Sequence, residues 1–261
     1  MPKIPKVLTI AGSDSGGGAG IQADLKTFSA FNVHGCCAIT SVTAQNTKEV
    51  TKIQDISGEM IVAQVDAVID DIGADSVKIG MLSSQEIIKA VAGVLKKHRL
   101  KNIVLDPVMV SASGAKLLQD NAIKTLKKDL IPLASIVTPN IPEAEVLAGF
   151  KINSLADIKK AAKEIFNMGP KSVLIKGGHV QIKKGKVCDY FYDGKTELIV
   201  ENSKINKEGH GTGCTLSSAI AANLALGFDK LDSVKKSIEY VHKALEKGYK
   251  VGSRNYVLKH D

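Results

Sequence analysis

The sequence predicts an α/β fold, with a mostly parallel central sheet, helices on both of its faces and a hairpin added at one edge. Three observations carry this prediction. Short aliphatic or β-branched runs alternate with longer segments, those segments place apolar residues at three-to-four spacing, and Asp193-Gly194 sits between two short strand-like runs. In chain order, 7–11 reads as a first strand and opens into a glycine-rich turn, and a helix follows over 21–31. Residues 38–43, 76–79, 102–105, 136–138 and 172–176 read as further strands. Between them, 61–72, 85–97, 122–130 and 155–168 read as helices, with Ser84 and Ser154 as caps. The runs 187–192 and 196–200 form the hairpin, and helices over 212–226 and 231–248 close the chain. No repeat or linker divides the 261 residues, so a single domain is expected.

Composition bounds the function. The chain is 44% apolar and 24% charged, which fits an ordinary globular protein rather than a disordered one. A net charge of +8 favours anionic ligands. The basic residues are scattered singly or in pairs (Lys96-Lys97, Lys127-Lys128, Lys183-Lys184), and no nucleic-acid motif accompanies them. Solvated helix faces account for them better. Cys36-Cys37, Cys188 and Cys214 lack the spacing of a zinc site. The N-terminus leads directly into the first strand, and no long uncharged apolar stretch follows, so a cytoplasmic protein with reduced thiols is expected.

In a sheet of this kind ligands gather beyond the carboxyl ends of the strands. The first such exit is Gly12-Ser13-Asp14-Ser15-Gly16-Gly17-Gly18-Ala19-Gly20. It has neither the Lys-Ser/Thr ending of a P-loop nor the dinucleotide glycine spacing. What it offers is close backbone approach to a small ligand, with Asp24 one turn into the helix as an acceptor or as a residue favoured by the helix dipole. The second exit, Thr43-Ala44-Gln45-Asn46-Thr47, ends in amides. A primary amide carries both donor and acceptor and suits the edge of an aminopyrimidine ring, while Asn46 also suits a turn.

The third and fourth exits, Leu105-Asp106-Pro107-Val108 and Thr138-Pro139-Asn140-Ile141-Pro142-Glu143, each place a hard oxygen ligand directly after a strand. Asp106, Asn140 and Glu143 suit Mg²⁺ held mostly through waters, and Glu143 equally suits the first turn of a helix. The fifth exit runs from Gly209 to Ser217 through His210-Gly211-Thr212-Gly213-Cys214. Successive amides at such a helix start form an anion site for a transferring phosphoryl group. The same potential lowers a thiol pKa, so Cys214 is expected to favour the thiolate and to accept a proton, against the alternative of an inert buried thiol. No carboxylate lies in sequence reach of His210, which therefore reads as a turn or hydrogen-bonding residue. Lys176-Gly177-Gly178-His179 ends a strand, and its Lys can meet nucleotide phosphates.

Taken in order, Ala11-Gly12-Ser13-Asp14 with Gly16 to Thr27, Lys78-Ile79-Gly80-Met81-Leu82, Asp106-Pro107-Val108-Met109, Thr138-Pro139-Asn140 with Glu143-Ala144, Lys176 to His179 and His210 to Thr215 closely resemble the hydroxymethylpyrimidine/phosphomethylpyrimidine kinases of the ribokinase-like superfamily. The resemblance covers about 7–248. It implies a ribokinase-like three-layer α/β/α sandwich, usually a homodimer, that uses ATP and Mg²⁺ for two successive phosphorylations. By the same resemblance Gln45 binds the pyrimidine, with Gly12, Asp24, Met81 and Val108 as neighbouring pocket positions. Asp106, Asn140 and Glu143 belong to the magnesium-and-phosphate region, Lys176 to the nucleotide side, and Gly211, Thr212, Gly213 and Cys214 to the anion hole and catalytic base. Sugar kinases of the superfamily usually carry Asp at the Cys214 position.

The chain departs from the family pattern at three places. Lys207-Glu208-Gly209 replaces a common Asn or Thr, Ala112 stands where Lys or Thr is frequent, and Thr43 stands where an apolar residue can line the pocket. Two other readings follow from the same residues. One is a pyridoxal kinase of the same fold, and the other is a non-catalytic binder of ligands or nucleic acid.

Overall fold

The computed structural model describes residues 4–111, 114–177 and 185–261. Ala112, Gly178, His179 and Lys183-Lys184 lie outside them. Among the described residues the chain runs β1 (Lys6–Asp14), α1 (Gly20–Ala30), β2 (His34–Gln45), β3 (Val50–Asp55), α2 (Gly58–Asp71), β4 (Ser76–Ile79), α3 (Gln85–Lys97), β5 (Ile103–Leu105) and α4 (Ala122–Thr125). It continues through β6 (Ile136–Val137), α5 (Ile141–Ala148), α6 (Leu155–Phe166), β7 (Val173–Ile175), β8 (Lys186–Tyr192), β9 (Glu197–Ser203), β10 (Gly209–His210), α7 (Thr212–Ala225), α8 (Lys230–Glu246), β11 (Tyr249–Lys250) and β12 (Tyr256–Val257).

The main sheet has the order β3-β2-β1-β4-β5-β6-β7-β8-β9. From β2 to β7 every neighbouring pair is parallel, whereas β3, β8 and β9 join antiparallel at the two edges. The expected edge hairpin is β8–β9. Strand alternation builds the two cores. Leu8, Ile103, Leu105 and Val173 pack with α2, α3, α5 and α6 on one face. Their sequence neighbours Val7, Val104 and Leu174 pack with Phe28 of α1 and with α7 and α8 on the other. The result is the three-layer sandwich that the alternation predicted.

Ser84 and Ser154 cap α3 and α6 by accepting from the amides of Ile87 and Asp157. The helix expected over 122–130 begins as α4 but widens to a π turn over Leu126–Leu130 before a 3₁₀ turn. Pro132 has no N–H with which to continue the ladder.

Candidate active site

Because β1, β2, β4, β5, β6 and β7 are parallel, their carboxyl ends meet at one edge of the sheet. A cleft of about 1070 Å³ opens there. Gly12, Gln45, Met81, Asp106, Val108, Asn140, Glu143 and Lys176 line it from the strand side, and Gly211 to Cys214 close it from the start of α7. The exits singled out in the sequence therefore converge, with one exception.

That exception is Asp24. Its side chain is fully buried beneath the cleft, where it binds Lys78 Nζ at 2.8 Å, and it does not reach the cavity wall. Thr9 Oγ1 and Ser218 Oγ donate to the same carboxylate at 2.6 and 2.7 Å. With three donors already engaging it below the floor, Asp24 is a structural anchor rather than the pocket contact expected. Burial pulls the Lys78 pKa down, but Asp24, with smaller contributions from Cys214 and Asp106, outweighs this and carries it up to about 12. Gly80 is required by the same pair, since a Cβ there would lie 2.7 Å from Lys78 Nζ.

In a second ion pair, Lys176 Nζ donates to Asp106 Oδ1 at 2.8 Å. Burial again disfavours the ammonium, and Asp106 and Glu143 outweigh it, so Lys176 stays charged. Gly213 rests against this pair. A Cβ at Gly213 would stand 3.2 Å from Lys176 Nζ and 3.4 Å from Asp106 Oδ2, so glycine keeps the α7 amides accessible beside the cation. Gly211 has φ +83°, and a Cβ there would fall 1.9 Å from the Gly18 carbonyl oxygen. The two glycines thus let the first turn of α7 press against both the glycine-rich loop and the ion pair.

Asn140 and Glu143 form a capping box on α5. Asn140 Oδ1 accepts from the Glu143 amide at 2.9 Å, and Glu143 Oε2 accepts from the Asn140 amide at 2.8 Å. Burial pushes the Glu143 pKa up to about 7, partly offset by Lys176. Among the described residues no three His, Cys, Asp or Glu side chains cluster to hold a metal. The donor set, two carboxylates beside a lysine, fits an Mg²⁺ that keeps its waters and arrives on phosphates.

The Cys214 expectation needs correcting. Gly20 N–H and Lys78 favour the thiolate, but burial dominates, with Asp24 and Asp106 adding to it, and the thiol pKa rises to about 11. Desolvation by the surrounding protein thus outweighs the helix-terminus effect on which the sequence reading relied, although the half-buried side chain lines the cleft.

His210 has the hydrogen-bonding role expected of it, with a partner that sequence spacing did not supply. A carboxylate does meet it, from 196 residues away: His210 Nε2 lies 2.9 Å from Asp14 Oδ2. The same carboxylate accepts amides of the glycine-rich loop, from Gly16 at 2.8 Å, Gly18 at 3.1 Å and Ala19 at 2.8 Å. Burial would raise the Asp14 pKa, but these donors hold it low. Gln45 sits next to His210, with Nε2 to Nε2 at 3.3 Å. Sequence reasoning also missed the wall formed by Ile238, Val241, His242 and Leu245 of α8. Their helical spacing was the available signal, but it reads equally as ordinary packing.

Backbone amides at a helix start beside the half-buried Lys176, sharing one cleft with the polar Gln45, suit a small-molecule kinase. The family model described as Phosphomethylpyrimidine kinase matches residues 14–259, and the chain belongs to that family. A hydroxymethylpyrimidine/phosphomethylpyrimidine kinase from Synechococcus elongatus is 46% identical over 258 residues, covering 98% of this chain and 97% of that one. Among solved structures, a phosphomethylpyrimidine kinase from Clostridium difficile superposes with a TM-score of 0.82 at 48% identity, covering 93% of this chain and 99% of that one. An ADP complex of Bacillus subtilis pyridoxal kinase superposes with a TM-score of 0.90 at 37% identity, covering 99% and 98%.

Proposed function

We propose that this chain, acting as one kinase domain, transfers the γ-phosphoryl group of ATP to the hydroxymethyl oxygen of 4-amino-5-hydroxymethyl-2-methylpyrimidine. A second round on the monophosphate gives the diphosphate used in thiamine biosynthesis. The observation that carries this reading is that Gln45 shares one cleft with the Gly211–Cys214 turn and Lys176. The Gln45 amide binds the pyrimidine edge, flanked by Gly12, Met81 and Val108. The Gly211, Thr212 and Gly213 amides and the Lys176 ammonium offset charge on the transferring group. Cys214, or a water it orients, takes the hydroxyl proton. Asp106, Asn140 and Glu143 would hold Mg²⁺ through its waters, where it neutralises phosphate charge. The apolar face of α8 and the basic rim of Lys204, Lys207 and Arg254 suit the nucleotide.

Mass spectrometry of the products from the pyrimidine alcohol and ATP tests the reading. Mono- and diphosphate are expected in sequence, and neither being formed would sink it. The backbone fit to pyridoxal kinase favours a second reading, while the higher identity to the pyrimidine kinases favours the first. A larger kcat/KM for pyridoxal than for the pyrimidine alcohol would reverse the order.

We also propose a homodimer in the cytoplasm. Exposed Val42 and Ile53 on the β2–β3 hairpin support the dimer, and four cysteines without a disulfide suit a reducing compartment. No helix among the described residues is long and apolar enough to cross a membrane. Sedimentation equilibrium giving only the 27.7 kDa monomer would reject the dimer, and recovery in a membrane or secreted fraction would reject the compartment.

A further inference from the structure

Gln45 lies between two hydrogen-bonding groups, and its amide fits the same volume in two orientations. One orientation puts Nε2 3.3 Å from His210 Nε2 and Oε1 3.3 Å from Thr43 Oγ1, and the other exchanges them. Proton count separates the two. Among the described residues the Asp14 carboxylate otherwise accepts from backbone N–H groups, and the ionised carboxylate can only accept, so His210 Nε2 carries the proton it directs at Asp14. On the other side Thr43 Oγ1 lies 2.9 Å from the Ser13 carbonyl oxygen, which can also only accept, so the single hydroxyl proton is spent there. His210 Nε2, its one proton directed at Asp14, has no lone pair with which to accept an amide N–H from Gln45, whereas Thr43 presents a lone pair. Only the orientation with Oε1 toward His210 and Nε2 toward Thr43 gives Thr43 a donor and keeps two N–H groups from facing each other.

We infer that Asp14, His210 and Thr43 are positioning residues that fix the polarity of the Gln45 amide and thereby determine which heterocycle edge the site accepts. This rests on the proposed binding of the pyrimidine by Gln45. With one N–H bound to Thr43 and one lone pair facing His210, Gln45 retains one donor and one acceptor in a set order. A 4-aminopyrimidine edge offers an amino donor beside a ring-nitrogen acceptor and matches that order. The 4-oxo analogue reverses it, with a carbonyl acceptor beside a ring N–H, and could be matched only by turning the amide over. The hydroxyl of Thr43, where an apolar side chain would otherwise line the pocket, is what makes that turn costly in this chain.

The test compares kcat/KM for 4-amino-5-hydroxymethyl-2-methylpyrimidine and its 4-oxo analogue. In Thr43→Val the preference for the amino compound is expected to fall about tenfold, since the amide loses one of its two fixed partners, while Thr43→Ser retains it. Equal losses for both compounds in Thr43→Val, leaving the ratio unchanged, would overturn the inference. A second measurement does not depend on turnover. Neutron diffraction from deuterated wild-type crystals should place the Gln45 deuterons toward Thr43, and finding them toward His210 overturns the inference whatever the enzyme phosphorylates. Absence of turnover with both compounds, with the deuterons toward Thr43, would instead count against the proposed substrate.

Discussion

Replacing Lys78 by Met is expected to destabilise the protein by about 3–5 kcal/mol, the usual cost of removing one partner from a buried ion pair. Asp24 and Lys78 are both at 0% exposure, so no water can solvate the carboxylate left behind. The hydroxyls of Thr9 and Ser218 remain, but they supply dipoles in place of a charge. The sign with pH follows from the raised Lys78 pKa. The stabilisation is complete below the ordinary lysine value and is lost only as pH rises through about 12, so the loss in Lys78→Met should be visible at neutral pH. Denaturant unfolding measures it. Adding Asp24→Asn should restore part of the stability, because the unpaired charge is then gone. A single variant as stable as the parent would show that the pair contributes nothing beyond its volume.

Cys214→Ala is expected to lower kcat by about 10²–10⁴-fold, the range typical of a lost general base, with little change in KM for ATP. The separation follows from geometry. The proposed anion site is made of backbone amides and Lys176, none of which depends on the Cys214 side chain. Since burial holds the thiol up to about 11, the thiolate fraction grows steadily across neutral and mildly alkaline pH. Turnover of the parent should therefore rise with pH over that interval, and the variant's profile should flatten. Steady-state rates across pH measure both, and unchanged turnover in Cys214→Ala would remove the side chain from the mechanism.

The fold was legible wherever burial imposed a pattern. Strand β4 and helix α3 lie where the sequence placed them because their apolar residues face a core on a regular period. Strand β3 went unread because nearly all of it is exposed, so no buried face imprinted alternation on Val50–Asp55. Strands β10 and β12 are two residues each, too short for a period to register. Within the site, Gln45, Lys176 and the Gly211–Cys214 turn were visible as polar or glycine-rich strand exits. The pairing of His210 with Asp14 was not, since it joins opposite ends of the chain through a fold that local spacing does not encode. The Asp24 and Cys214 expectations failed for one common reason. Sequence gives a residue's neighbours along the chain but not its surroundings in space, and these decided both the partner of Asp24 and the raised pKa of Cys214, which desolvation and the carboxylates of Asp24 and Asp106 push up.

The strands that deliver the reacting groups are short, and this limits how the enzyme can change. β5 and β7 have three residues each and β6 has two, yet Asp106 and Lys176 follow β5 and β7 directly, and Asn140 stands three residues past β6. One inserted residue within any of these strands would carry its group about 3.3 Å along the sheet and turn it to the opposite face. The loops and helices on the far edge carry no such constraint. Insertions and deletions should therefore be tolerated at the amino ends of the strands and refused at the carboxyl ends, so that the chemistry is inherited as a matter of register while the rest of the chain drifts.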